Sequence, residues 1–371
     1  MRGFTLEAYA DRLTKQVLHM DQGVCYNPEF RATRRMHDYP SRKLQIARAV
    51  IQGELEPGVY AADIVFSSIL SGQGERWQNF GEEQTDYTFV SMLCREALLK
   101  AGAGKRYGRA LLELLGANGG HIADVSAAGA AWREAMPFDA KSRAFLFIDD
   151  ATAAYAADHA PALGRYLRES GLAFGNAAEP VFSGYEYFAC GLIDKGIVHL
   201  NSLVRTIKDA GFDSVLTLSG QSEFLFKRMM PAVGVEHGLK VTSVLDILAP
   251  IRLPCPGYVY AGSFYARMLR READINALFP NGDERVARTS TEFNPELEAD
   301  NRVNRVTMWQ PPLCAEFATP GYDEALLDGI YRDALGQMGN PSLIVAFDPH
   351  AYNALRTRGF AGQAAYFAEF I

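Results

Sequence analysis

At residue 144 the hydrophobic period of this chain changes. Upstream, apolar residues recur at helical spacing, whereas "AFLFIDD" (144–150) is a short continuous apolar run of the kind a strand buried on both faces requires. Behind it come the helical patterns "AAYAADHAPALGRYLRESG" and "KGIVHLNSLVRTIKDAG", the strand-like "DSVLTLS" and the helical "SEFLFKRMM". Strands alternating with helices in this way predict a parallel sheet, because each helix carries the chain back to the edge where the next strand starts. After "VTSVLDILAP" the theme repeats. A strand "IRLPC" (251–255), helices "SFYARMLRREA" and "EALLDGIYRDALGQMG", a strand "SLIVAF" and a helix "AYNALR" are expected in turn. The fold class is therefore α/β, with two pseudo-repeated α/β halves (141–247 and 248–371) after an all-helical region (1–140).

Within that first region, helices are expected over "TLEAYADRLTKQVLHM" (5–20) and over "SRKLQIARAVIQGEL", where Ser41 is a good N-cap just after Pro40. "DYTFVSMLCREALLKAG" and "KRYGRALLELLGANGG" each stop at glycine, as helices do. The polar, glycine-bearing "SSILSGQGERWQNFGEE" (67–83) between them reads as a loop.

Composition narrows the function classes. With 371 residues the chain is comfortable for two or three domains, and 48% apolar and 22% charged residues are ordinary for a globular protein. A net charge of −7 argues against a nucleic-acid or anionic-membrane surface, since both favour clustered Lys and Arg. The basic stretch "RATRRMHDYPSRK", with Arg31, Arg34, Arg35, Arg42 and Lys43, reads as a solvated loop and helix start. No apolar run approaches the roughly 20 residues that span a bilayer, and the acidic, amphipathic N-terminus has no signal-peptide core, so a cytoplasmic protein is expected. The five cysteines, Cys25, Cys94, Cys190, Cys255 and Cys314, are scattered, odd in number and form no C-x-x-C. They give no disulfide framework, zinc ribbon or thioredoxin-type motif.

"PEFRAT" (28–33) followed by "YPSRKLQIARAVIQGEL" (39–55), "CGLIDKG" (190–196) followed by "AGFDSVLTLSGQS" (210–222), and "SLIVAFDPHAYNAL" (342–355) lie in one order along the chain. In these segments the chain resembles the fused iron–sulfur subunits of the heterodisulfide reductase family, a group that includes the iron–sulfur subunit of glycolate oxidase. That resemblance implies a helical ferredoxin domain followed by two CCG domains. Each CCG domain would carry a Cys after its first strand, a Cys-Cys-Gly, and a Cys-x-x-Cys after a later strand.

The framework fits and the ligands do not. A [4Fe–4S] cluster needs four thiolates. Only Cys25 lies near the first ferredoxin motif, and the second motif falls where there is no cysteine. In the first CCG-like half the resemblance puts Asp150 at the strand-end Cys, Cys190 in Ala189-Cys190-Gly191, and Ser219 and Ser222 at the Cys-x-x-Cys. These are vestigial positions, and Ser219 and Ser222 are expected to cap the helix that starts near Glu223. In the second half Cys255 follows the strand, Cys314 stands in for Cys-Cys-Gly, and Asp348 and His350 fall in the closing segment. Brought together by the family's geometry, Cys255, Cys314, Asp348 and His350 could hold a mononuclear Zn²⁺ or iron. The alternative is that both cysteines are apolar fillers and His350 lies at a helix start or faces solvent.

Other motifs are weak. There is no phosphate-binding G-x-x-x-x-G-K-[ST] loop, and "LSGQS" lacks the first glycine of a nucleophile elbow. Asp149-Asp150 at a strand end could serve acid–base or metal chemistry, but helix capping is the commoner use. His19, His37, His121, His159, His199 and His237 form no i, i+4 ligand pair. The resemblance implies a scaffold or docking subunit of a redox complex, with no cofactor and no [4Fe–4S] cluster. Its partner would be related to flavin- or thiol-active oxidoreductase subunits. The alternative is an enzyme that reuses the cleft between the CCG-like halves.

Overall fold

The computed structural model describes residues 3–10, 27–73, 87–280, 306, 310–313, 316 and 320–371. Helices α1 (Pro28–Thr33), α2 (Pro40–Ile51), α3 (Val59–Phe66), α4 (Tyr87–Lys100), α5 (Lys105–Ala117) and α6 (Ser126–Ala135) precede the first strand. α2 starts at Pro40 itself, since the first helical position needs no N–H partner. Residues 11–20 of the expected first helix and 74–83 of the expected loop lie outside the described residues, while Glu7–Tyr9 form one 3₁₀ turn. Leu44, Val65, Leu93 and Leu98 build a small core for this region. Arg95 of α4 is fully buried, yet its guanidinium donates to the carbonyl oxygens of Phe66, Ser68 and Ala189. It thereby ties the helices to the first α/β half.

Two parallel sheets follow. β1 (Ala144–Asp149), β2 (Pro180–Val181), β3 (Ser214–Thr217) and β4 (Lys240–Ser243) lie in the order β2-β1-β3-β4. β5 (Tyr258–Tyr260), β6 (Leu343–Ala346) and β7 (Gln363–Tyr366) lie in the order β5-β6-β7. The helices of the first sheet are α7 (Asp150–Tyr155), α8 (Ala160–Glu169), α9 (Tyr185–Ala189), α10 (Ile193–Asp209) and α11 (Gly220–Phe224). Those of the second are α12 (Glu272–Leu278), α13 (Glu324–Gln337) and α14 (Pro349–Thr357).

Strands of the two sheets end in similar ways. β3 passes into α11 through an N-cap at Ser219, and β6 passes into α14 through an N-cap at Asp348. β4 and β7 each run into a 3₁₀ turn closed by an acid three residues on. Ser243 N donates to Asp246 Oδ2 (2.8 Å), and Tyr366 N donates to Glu369 Oε1 (2.9 Å). β5 is then the counterpart of β1 by its place in the sheet.

Three expectations need correction. The strand expected over 251–255 is irregular backbone, and the strand forms at 258–260. Pro254 and Pro256 lack the N–H that a ladder needs, so pairing starts only beyond them. The helix expected over 153–171 is broken by a 3₁₀ turn at Ala157–His159, because Pro161 cannot donate back into a continuous helix. The helix expected over 263–273 becomes a π turn, Phe264–Met268, that ends before Arg270 in a left-handed conformation (φ 57°). A single hydrophobic core unites the two halves, joining Leu146, Phe147 and Val215 to Val259, Ile344 and Val345.

Candidate functional site

The carboxyl ends of β1 and β3 meet in a buried knot. Asp149 caps α7, with Thr152 N donating to its Oδ1 (2.9 Å). Its Oδ2 accepts from Ser219 Oγ (2.6 Å), Ser222 Oγ (2.6 Å) and Thr152 Oγ1 (3.0 Å). The acceptor capacity of this oxygen is therefore full. Ser219 also accepts from Ser222 N (3.1 Å) as the N-cap of α11, so the capping expected of it is present, while Ser222 turns inward to Asp149.

The other two residues that the resemblance puts at ligand positions are elsewhere. Asp150 binds His121 through Nδ1 (2.6 Å) and accepts from Ile122 N (2.8 Å); burial raises its pKa, partly offset by those two partners. Cys190 packs among Leu111, Leu115 and Phe182, and burial pushes its thiol up to about 12. Gly191 beside it has φ +75°, and a Cβ there would sit 2.7 Å from Glu96 N. The Cys-Gly pair is thus held by the close approach of α4.

In the second half Asp348 is buried and accepts from Ala351 N (2.9 Å) as the N-cap of α14. Burial raises its pKa well above the ordinary carboxyl range, and the charges of Glu316 and Asp149 add to this. His350, two residues on, is lowered to about 4 by burial, against the pull of Asp149. Cys255 is exposed on the loop before β5, and Cys314 lies outside the described residues, as does Cys25. Among the described residues no group of three or more His, Cys, Asp or Glu is placed to hold a metal. Neither donor set suits an iron–sulfur cluster: one has hydroxyls saturated by a carboxylate, the other a carboxyl and an imidazole whose third described candidate points to solvent.

What lies at the strand ends between the halves is a cavity of about 230 Å³. Its wall is made by Tyr155 at the end of α7, Tyr185 and Glu186 of α9, Glu316, His350 of α14 and Arg358 just beyond α14. A wider hollow, about 620 Å³, shares Glu324, Thr357 and Arg358 with it. Open α/β sheets place their ligand crevices here, beyond the carboxyl ends of the strands.

Two buried acids dominate this cleft. Glu186 accepts from Gln221 Nε2 (2.8 Å) and Ser183 Oγ (3.2 Å), both neutral donors. Burial pushes it up to about 7, and nearby Asp150 adds to the shift. Glu316 accepts from the Tyr260 hydroxyl and from Ser263 N (2.7 Å). Burial raises it, and the Arg267 guanidinium works against that. Arg267 itself donates to Ser71 O (2.7 Å), Gln310 O (2.6 Å) and the Ser263 hydroxyl.

Sequence reasoning named neither Glu186 nor Glu316. A usable signal was present for the first: in "VFSGYEYFACG" one acid interrupts an apolar run, three residues after Ser183. Compared with known proteins, the chain matches no family model, no curated protein and no solved structure, so the chemistry of this cleft is what bears on function.

Proposed function

We propose that this chain is a cluster-free relative of the heterodisulfide reductase iron–sulfur subunits whose interlobe cleft now binds a small molecule and exchanges a proton with it through Glu186. The observation that carries this is Glu186 itself, a buried carboxyl at about 7 that opens on a cavity at the strand ends. A group with its pKa near the working pH both holds and releases a proton readily, which is what general acid–base chemistry needs. His350 on the same cavity wall is neutral at that pH, and can accept or donate a hydrogen bond without adding charge. The derivation from a cluster protein is supported by Ser219 and Ser222, which the resemblance puts at the Cys-x-x-Cys, meeting Asp149 at the end of β1, beside the Asp150 that it puts at the strand-end Cys. The test is a thermal-shift screen of a metabolite library on the full chain, repeated on Glu186→Gln and on Ala354→Trp, which fills the cleft. The expected result is a compound class that raises Tm in the parent and not in the filled variant. A screen in which every hit behaves alike in the parent and in Ala354→Trp would overturn it.

A second reading is favoured by a different observation. Every residue from Ile51 to Tyr60 is exposed, including Leu55 and Val59, and the His37–Tyr60 ring contact (6.0 Å between centroids) brings Met36 beside them. A patch of this kind suits a scaffold subunit docked, in the cytoplasm, on a flavin- or thiol-active oxidoreductase partner over about 1,000 Å² or more. Affinity capture with the parent and with Val59→Asp/Tyr60→Asp tests it. An oxidoreductase subunit held by the parent and lost by the variant supports docking, and identical captures rule it out. Among the described residues no helix is long and apolar enough to cross a membrane.

A further inference from the structure

The charges lining the cleft do not balance, and the imbalance has a sign. Glu316 is answered by Arg267. Arg358, the guanidinium on the cavity wall, donates to Glu324 (2.8 Å) and to Asp328, so it is already paired with two carboxylates. His350 is uncharged at neutral pH. Glu186 is left with neutral donors alone, Gln221 and Ser183. The titratable groups around it are Asp150 with its His121 partner, Tyr155, Tyr187 and Cys190 on its own side. His350 and Glu316 line the same cavity. The only basic groups among these are His350, held below its ordinary range by burial, and His121, which is bonded to Asp150. A buried carboxyl without a counter-ion is costly to ionise, and a ligand that brings the positive charge removes that penalty.

The walls point the same way. Tyr155 stands edge-on to His350 with ring centroids 5.6 Å apart, and Tyr185 is packed edge-on to Phe264 at 5.2 Å. Both rings line the cavity beside Glu186. Aromatic faces next to a carboxylate attract an ammonium group through its charge and accommodate its methyl or methylene carbons. An anionic ligand would instead meet Glu186 and Glu316 with no free cation among the described lining residues.

We propose that the cleft takes a small organic cation, a protonated amine or quaternary ammonium compound, with its charge on Glu186 and its carbon face on Tyr155 and Tyr185. This assignment rests on the cleft being a ligand site. Binding pulls Glu186 to its ionised form, so near neutral pH it releases a fraction of a proton, and affinity for a quaternary cation rises as pH increases through about 7 and then levels.

Isothermal titration calorimetry of the full chain with choline, putrescine, succinate and glycerol tests the proposal. Choline or putrescine should bind at one site, and Glu186→Gln should weaken binding by roughly tenfold or more, the scale of one charge-assisted contact. Choline titrations in two buffers of different ionisation enthalpy should show proton release near neutral pH and none in alkaline buffer. If Glu186→Gln does not fold, this proton release and the loss of choline binding in Tyr155→Leu keep the proposal open to refutation. Binding of succinate or glycerol that Ala354→Trp abolishes, with no binding of either amine, overturns the cation and leaves the ligand site standing. Amine binding that is indifferent to Glu186→Gln overturns it as well. No binding by any of the four, together with a negative library screen, overturns both.

Discussion

Glu186 makes the stability of the fold depend on pH in a definite direction. In the unfolded chain a glutamate has an ordinary pKa of 4.5, and in the fold burial pushes this one to about 7. The folded state therefore binds the extra proton, and its contribution is fully present below about 4.5 and lost as pH rises through about 7. The span is worth roughly 3 kcal/mol. Glu316 and Asp348, also raised, act in the same sense, while His350, lowered to about 4, contributes stability above the ordinary histidine range that is lost as pH falls through 4. Those groups are common to parent and variant, so a difference measurement isolates Glu186. In urea titrations Glu186→Gln should gain on the parent by roughly 3 kcal/mol between about pH 4.5 and pH 8. A difference that does not change with pH would mean that Glu186 is ionised in the fold. Single residues are also where the sequence was hardest to read. Asp149 and Asp150 are adjacent and chemically identical, and only the N-cap geometry sends one to Ser219 and Ser222 and the other to His121. Asp150, which the resemblance puts at the strand-end ligand position, is the one that meets His121, and periodicity alone does not distinguish two adjacent acids.

Elements announced themselves by period, and failed to where backbone chemistry overrides it. "AFLFID" and "LIVA" are strands as their apolar runs predict, because parallel strands covered on both faces need no polar alternation. "IRLPC" has similar apolar content but is flanked by prolines that deny it a ladder, and the three-residue strand "YVY" was too short to register. The Cys190-Gly191 turn shows how an inherited-looking motif is maintained by packing. α4 lies so close to this turn that a Cβ on residue 191 would fall 2.8 Å from the Arg95 carbonyl carbon as well as adopting φ +75°. Gly191→Ala should therefore destabilise the protein by about 3 kcal/mol, combining left-handed strain with overpacking. Cys190→Ala removes only a buried thiol from an apolar cluster and should cost about 1 kcal/mol with spectra unchanged. Chemical denaturation of the two variants side by side decides this. A larger loss for Cys190→Ala would mean the sulfur has a role beyond filling space.

At the scale of the whole chain, the seams between regions are built like interiors. Phe264, after the second sheet begins, packs on Tyr185 and on Phe224 of the first half, with centroids 5.2 and 5.4 Å apart. Arg271 reaches across to the fully buried Glu223 (2.5 Å) and to Asp246 (2.6 Å). The helical region is fastened to the second half by Arg31, whose Nε and Nη2 donate to Asp333 at 2.6 and 2.9 Å. It is fastened to the first half by the Arg95 donation to Ala189 O. The two α/β halves that the sequence announced as repeats thus share one core and cannot expose their seam without unfolding. Calorimetry should show one transition with calorimetric and van't Hoff enthalpies in agreement. Arg271→Met strips Glu223 of one of its two cationic partners, leaving Lys227 at 2.7 Å, and is expected to lower stability by about 2 kcal/mol while keeping the transition single. Were the halves independent, the same substitution would split the endotherm, because it weakens the seam and leaves each sheet intact. A single shifted transition places the cleft in a rigid frame, where the distance between Glu186 and His350 is set by the shared core and a ligand is met by a preformed site.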